Sequence, residues 1–191
     1  GGAELFLYQS GYLTIKGYQM GVYILGFPNS EVRQALYETV LPALTLRGNS
    51  DIQSIQSDLL LAIQLGNLPE AMKCLKALIA DVPYSNKKLA SMDMEERYRL
   101  IISTILNAIG CQVEVEHMLS TGRIDIVAST SRFIYVMELK LANNGGINAA
   151  EKQMIDNGYL KPFLADDRKV IGVAVELDDM GKGLIDWKEV K

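Results

Sequence analysis

Gly122-Arg123-Ile124-Asp125-Ile126-Val127-Ala128, followed after the polar link Ser129-Thr130-Ser131 by Phe133-Ile134-Tyr135-Val136-Met137-Glu138-Leu139-Lys140-Leu141, reads as two strands joined in an antiparallel hairpin. Both are almost continuously apolar, which suits a sheet covered on its two faces. The charges inside them are therefore the informative anomaly, because an unpaired buried charge is expensive. Side chains alternate along a strand, so Glu138 and Lys140 share a face. Antiparallel pairing brings Asp125 within a few residues of Glu138. Two carboxylates and one ammonium then converge at the ends of apolar strands.

The flanking sequence places this hairpin in an α/β domain. A helix over about Asp93 to Asn107 carries Tyr98, Ile101, Ile102, Ile105 and Leu106, and Gly110 ends it. Cys111–His117 alternates apolar and polar residues as a strand. Beyond the hairpin come a helix from about Asn148 to Asn157, stopped by Gly158, a strand over Val170–Leu177, and a short tail. Met118, Met137 and Met154 read as core residues.

The first part of the chain has a different texture. Tyr12–Ile15 and Val22–Gly26 read as a hairpin, and a helix with Val32, Leu36 and Val40 is expected after Pro28-Asn29-Ser30. Ser50 and Gln53 have capping-box spacing before a helix closed by Gly66, and Pro69 opens another. Residues 81–88, with Pro, Ser, Asn and paired Lys, have connector composition. The expected organisation is a small, mostly helical domain with a β-hairpin over residues 1–85 and an α/β domain over 90–191. The first could be a winged-helix remnant touching DNA, but no helix in it has a basic face, which favours a packing or linker role.

Composition narrows the chemistry. The chain is 49% hydrophobic and 22% charged, with one His, two Cys and a formal charge of −4. Disorder is excluded, and the longest apolar run, Leu59-Leu60-Leu61-Ala62-Ile63, is far short of a membrane span. Cys74 and Cys111 make neither a disulfide framework nor a zinc site. A metal held here must be one that favours oxygen. Residues 1–89 hold seven basic and seven acidic side chains, whereas 90–191 hold twelve and sixteen, so the deficit lies in the part with the anomalous strands. The front shows no secretory signal segment, and a cytoplasmic place is expected.

Carboxylates beside a Lys suit metal-assisted phosphodiester hydrolysis. Mg²⁺ takes carboxylate oxygens and water, and a Lys can orient the attacking water and offset developing charge. An acidic residue, any residue, then Lys occurs four times in this chain, at Glu138, Asp167, Asp186 and Glu189. Of these, Glu138 and Lys140 interrupt an apolar strand whose neighbour is interrupted by Asp125. A buried structural ion pair, or a strand end emerging into solvent, would give the same string.

Gly122-Arg123-Ile124-Asp125-Ile126-Val127 and Tyr135-Val136-Met137-Glu138-Leu139-Lys140 resemble the core of the PD-(D/E)XK nuclease superfamily. More narrowly, the chain is similar to nuclease-like domains at the C-terminus of bacterial (Bacteroidetes) proteins that begin with an AAA-type ATPase-like domain. Leu7–Ile15 and Leu25–Asn29 look like the segment linking the two. The resemblance implies a restriction-endonuclease-like mixed sheet flanked by helices, Mg²⁺ or Mn²⁺ as cofactor, DNA as substrate, and an ATPase-like partner domain. It implies Asp125 and Glu138 as metal carboxylates and Lys140 as the catalytic Lys. An acidic residue on the preceding helix completes such sites, and Glu95, on the face of Tyr98 and Ile102, fits better than Glu96. A first-turn Glu that only favours the helix dipole is the plain alternative. Gln153 would brace the site, and Tyr159 and Arg123 would contact nucleic acid. Asn157 stands where a Lys is often found, removing a positive charge. His117 reads as an ordinary strand-end residue.

Two functions follow: a metal-dependent nuclease, or a non-catalytic module of the same fold that binds nucleic acid or protein and regulates an ATPase. The nuclease requires Asp125, Glu138 and Lys140 to meet in a notch that solvent can reach.

Overall fold

The computed structural model describes residues 14–19, 22–26, 49–80 and 93–191, with side chains from residue 54 onward. The expected helix over residues 30–40, the 81–88 connector and most of the proposed linking segment lie outside the described residues.

A two-stranded antiparallel ladder pairs β1 (Thr14–Gln19) with β2 (Val22–Gly26). Two helices follow as an αα-hairpin, α1 (Asn49–Leu65) and α2 (Leu68–Ile79). Gly66 joins them at φ +70°, where a Cβ would sit 2.5 Å from the Phe133 ring. Both the left-handed turn and the close approach require glycine there. Asn67 caps α2 by accepting the Glu70 N–H, and Pro69 occupies the first turn.

The α/β part runs α3 (Met94–Ala108), β3 (Gln112–Leu119), β4 (Gly122–Ser129), β5 (Phe133–Leu141), α4 (Gly146–Asp156), β6 (Lys169–Leu177) and β7 (Leu184–Val190). The sheet order is β3-β4-β5-β6-β7, parallel only between β5 and β6, where α4 makes the crossover. This is the mixed sheet flanked by helices expected from the sequence. Asp93 caps α3 by accepting the Glu95 and Glu96 N–H groups.

The two sheet faces are covered unequally. One packs Ile126, Ala128, Tyr135, Met137, Leu139, Val173 and Val175 against α1, α2 and α3 in one continuous core. Polar ties fix this layer: Tyr135 donates its hydroxyl to the Ile63 carbonyl at 2.7 Å, and Lys76 donates to the Ile185 carbonyl at 2.9 Å. Tyr98 donates to the Asp178 carbonyl and accepts the Gly183 N–H. The opposite face has a smaller core, in which Ile124, Val127, Ile134, Val136 and Ala174 meet Ala150, Met154 and Tyr159.

Two expectations are corrected. The tail after Leu177 is not a tail but the edge strand β7, whose Leu184 and Val190 are buried while Asp186, Lys188 and Glu189 face solvent. An edge strand needs no continuous apolar run, so its polar texture hid it. Met118 is exposed, unlike Met137 and Met154, because β3 is the opposite edge.

Candidate active site

The hairpin of β4 and β5 is zipped over half its length. Ladder partners run Ile126↔Met137, Val127↔Val136, Ala128↔Tyr135 and Ser129↔Ile134, and stop there. Toward Gly122 the strands no longer exchange ladder bonds. The Asp125 carboxylate occupies the opening, its Oδ2 accepting the Leu139 N–H at 2.9 Å. A side chain thus replaces the missing partner of a main-chain donor, and Asp125 comes beside Glu138.

Glu138 and Lys140 lie on one face, as strand alternation requires, with Lys140 Nζ 3.4 Å from Glu138 Oε1. From α3, Glu95 brings Oε1 to 4.0 Å from the same ammonium. Asp125, Glu138, Lys140 and Glu95 are therefore gathered in one place. Glu95 is one helical turn before Arg99, which also reaches the site. Asp125 is 5% exposed and Glu138 1%. Lys140 and Glu95 are half-buried, and the two acids lie deeper than this pair.

Burial sets the electrostatics. It pushes the Glu138 carboxyl up to about 8, helped by the Asp125 charge and opposed by Lys140. Burial also raises Asp125, against the Leu139 N–H and the Arg99 charge, and raises Glu95, against Lys140. Two adjacent buried carboxylates cannot both hold full charge cheaply, so each raises the cost of ionising the other. Glu138 Oε2 is buried without a hydrogen-bond partner.

That orphan acceptor is the test of fit for a cation. Among the described residues, no three His, Cys, Asp or Glu side chains form a group that could hold an ion by themselves. Asp125 and Glu138 supply two oxygen donors, which suits Mg²⁺ or Mn²⁺ because Mg²⁺ keeps several waters and is commonly held by one or two carboxylates. The donor set fits.

Tyr159, Gln153 and Arg123 form a second constellation. Tyr159 is 1% exposed, and its hydroxyl donates to the Arg123 carbonyl at 2.9 Å. The same oxygen accepts from Gln153 Nε2 at 3.0 Å and Asn157 Nδ2 at 3.2 Å. Gly122 makes this approach possible, since a Cβ there would lie 2.8 Å from the Tyr159 hydroxyl. Gln153 thus acts on the β4 main chain through Tyr159. The Arg123 side chain is 52% exposed and pairs with Glu116 at 2.9 Å.

Arg99 and Glu116 were not legible as site residues. Arg99, buried on α3, places Nη1 2.6 Å from Glu116 Oε1 and 3.7 Å from Asp125 Oδ1. Its four-residue spacing from Glu95 was the available signal, since both then leave the helix on one face. Glu116 has φ +54°, the one positive value on a non-glycine residue among those described. The β3–β4 ladder omits the Glu116–Asp125 pair at this point. Nearby, His117 Nδ1 is 2.6 Å from Glu114 Oε2 and its ring lies 5.7 Å from that of Phe163.

Residues 93–187 match the PD-(D/E)XK nuclease superfamily. The superfamily segment contains Glu95, Arg99, Asp125, Glu138, Lys140, Gln153 and Tyr159 together. A protein of Azotobacter chroococcum mcd 1, described as an uncharacterised protein in the vnfD 5′ region, is 30% identical over 200 residues, covering 91% of this chain. The chain spans 37% of that relative's length. No solved structure matches. Among the described residues, no helix is long and apolar enough to cross a membrane.

Proposed function

We propose that residues 93–187 form a metal-dependent nuclease domain that hydrolyses DNA phosphodiester bonds. The observation that carries this reading is the buried, unpartnered Glu138 Oε2 beside Asp125, with Lys140 Nζ 3.4 Å from the other Glu138 oxygen. A superfamily match over the same residues supports it.

In this reading Asp125 and Glu138 hold Mg²⁺ or Mn²⁺, which supplies Lewis-acid polarisation of the scissile phosphate when bound. The Leu139 N–H fixes one Asp125 oxygen, leaving Oδ1 turned toward Arg99 and the site. Lys140 orients the attacking water and offsets charge developing on the phosphoryl oxygens. Glu95, at the rim, holds the Lys140 ammonium over the carboxylates. Gln153 and Asn157, through Tyr159, anchor the β4 main chain at Arg123, whose guanidinium meets the DNA backbone. An ATPase-like domain in the same larger protein is a proposed partner.

The depth of the two acids, 5% and 1% exposed, favours a second reading, a non-catalytic module that keeps the fold and regulates an ATPase. Incubation with single- and double-stranded DNA in Mn²⁺ separates them. The nuclease reading expects cleavage by the wild type and none by Lys140→Ala or Asp125→Asn. Equal residual cleavage by all three, or none by any, leaves the module reading.

A further inference from the structure

Arg99 is a buried guanidinium on α3 that touches two strands at once. Its Nη1 lies 2.6 Å from Glu116 Oε1 on β3 and 3.7 Å from Asp125 Oδ1 on β4. Glu116 lies opposite Asp125 in the register, at the one position where the ladder between those strands is interrupted. It also adopts φ +54°, a conformation that is costly for a glutamate and persists only where the surroundings fix it. Such outliers cluster at functional sites. Glu116 further forms an ion pair with the exposed Arg123 at 2.9 Å. One helix and two strands are thus tied by charge at the point where β4 leaves β5.

The Asp125 carboxylate has two oxygens with different neighbours. The Leu139 N–H holds Oδ2 from β5, and Arg99 lies beside Oδ1 from α3. Either contact alone leaves the carboxylate free to rotate about its terminal torsion, which is broad. The hydrogen bond fixes Oδ2, and the guanidinium at 3.7 Å draws Oδ1 toward α3 by charge. We propose that Arg99, itself held by Glu116, is the positioning residue that aims Asp125 at the cation, so that α3 takes part in building the metal site without ligating the metal. The inference rests on the nuclease reading, since it concerns the same carboxylate.

A charge-preserving variant separates positioning from simple charge. The Arg99 guanidinium both repels a cation and favours the ionised Asp125, so a role of charge alone is kept in Arg99→Lys, whereas a role that depends on the guanidinium held by Glu116 is not. If it only stabilised the fold, melting would shift and metal affinity would not. A positioning residue predicts weaker binding, and loss of such supporting contacts typically costs about 10–100-fold in affinity.

The test is a calorimetric titration with Mn²⁺ on wild type, Asp125→Asn, Arg99→Gln, Arg99→Lys and Glu116→Gln, with a thermal melt of each. The expected result is loss of binding in Asp125→Asn, about 10–100-fold weaker binding in Arg99→Gln, and a smaller loss in Glu116→Gln. Arg99→Lys stays weaker than wild type, because it keeps the charge but not the guanidinium reach from Glu116 to Asp125. If Arg99→Gln does not fold, Glu116→Gln decides, since it releases Arg99 while leaving an acceptor. Unchanged or tighter Mn²⁺ binding in the folded Arg99→Gln and Glu116→Gln variants, or wild-type affinity in Arg99→Lys, with Asp125→Asn still dead, overturns the positioning role alone. A wild type that takes up no Mn²⁺ overturns the metal site, and the inference with it.

Discussion

Strands β4 and β5 run side by side through two regions that differ in main-chain pairing and in charge. Where Ile126–Ser129 face Met137–Ile134, the ladder is complete and Ile126, Val127, Ala128, Val136 and Met137 enter one core or the other. One residue further, the ladder stops and Asp125, Glu138, Lys140, Arg99 and Glu116 crowd into the opening. The two regions share strands, depth and neighbours. They differ in whether the main chain pairs with itself, and the charges are gathered where it does not.

The comparison is tested most severely by putting a charge into the zipped region. Val136 is fully buried, and Val136→Asp leaves a carboxylate there with no partner. The expected cost is several kcal/mol, read as loss of the folded protein by circular dichroism. Leu139→Ala removes a fully buried side chain from the main core beside the site. Its cost is about 2–5 kcal/mol in urea unfolding, and a much smaller cost would mean that the open region is loosely packed on that face. Tyr159→Phe deletes the hydroxyl that joins Gln153 and Asn157 to the Arg123 carbonyl. About 1 kcal/mol of stability should go, with a loss of cleavage larger than that figure explains if the anchor positions β4.

In the open region the opposite sign is expected. Burial holds the folded Glu138 pKa up at about 8, above its ordinary value of 4.5. Between those values the unfolded chain releases a proton that the folded chain keeps, so unfolding gains on folding as pH rises. The metal-free protein therefore loses stability from about pH 4.5 to about pH 8, and the loss is complete above that. Glu138→Gln removes the Glu138 share of this dependence, while Asp125 and Glu95, also raised by burial, keep a part of the same sign. In EDTA at pH 8 the variant should melt a few degrees above the wild type, and near pH 4.5 the difference should vanish. A wild type whose melting temperature is flat across the interval contradicts the burial of that charge.

How far the sequence led depends on which of these regions a residue occupies. Apolar runs announced β4, β5 and β6, because strands buried on both faces have little choice of residue. The charged interruptions at Asp125, Glu138 and Lys140 were visible for the same reason, against a background that excluded them. Glu95 came from the family resemblance, its helix face choosing it over Glu96. Edge strand β7 was missed, since Asp186, Lys188 and Glu189 face solvent and break the run. Arg99 and Glu116 were missed because each sits among other charges, Arg99 after Glu95, Glu96 and Arg97, and Glu116 after Glu114. Nothing local says which of several charges turns inward; that is set by α3 packing across β3 and β4. Tyr159 was expected at a nucleic-acid surface and lies in the core behind Gly122, a depth that depends on how the chain after α4 folds back.

The central claim is that the opening between β4 and β5 is built for a divalent cation. Anomalous diffraction from crystals soaked in Mn²⁺ tests it directly. The account predicts a manganese peak ligated by Asp125 and Glu138, with Glu138 Oε2 among the donors and Lys140 close by. An empty opening at saturating Mn²⁺, with Asp125 still on the Leu139 N–H and Glu138 still unpartnered, would contradict it.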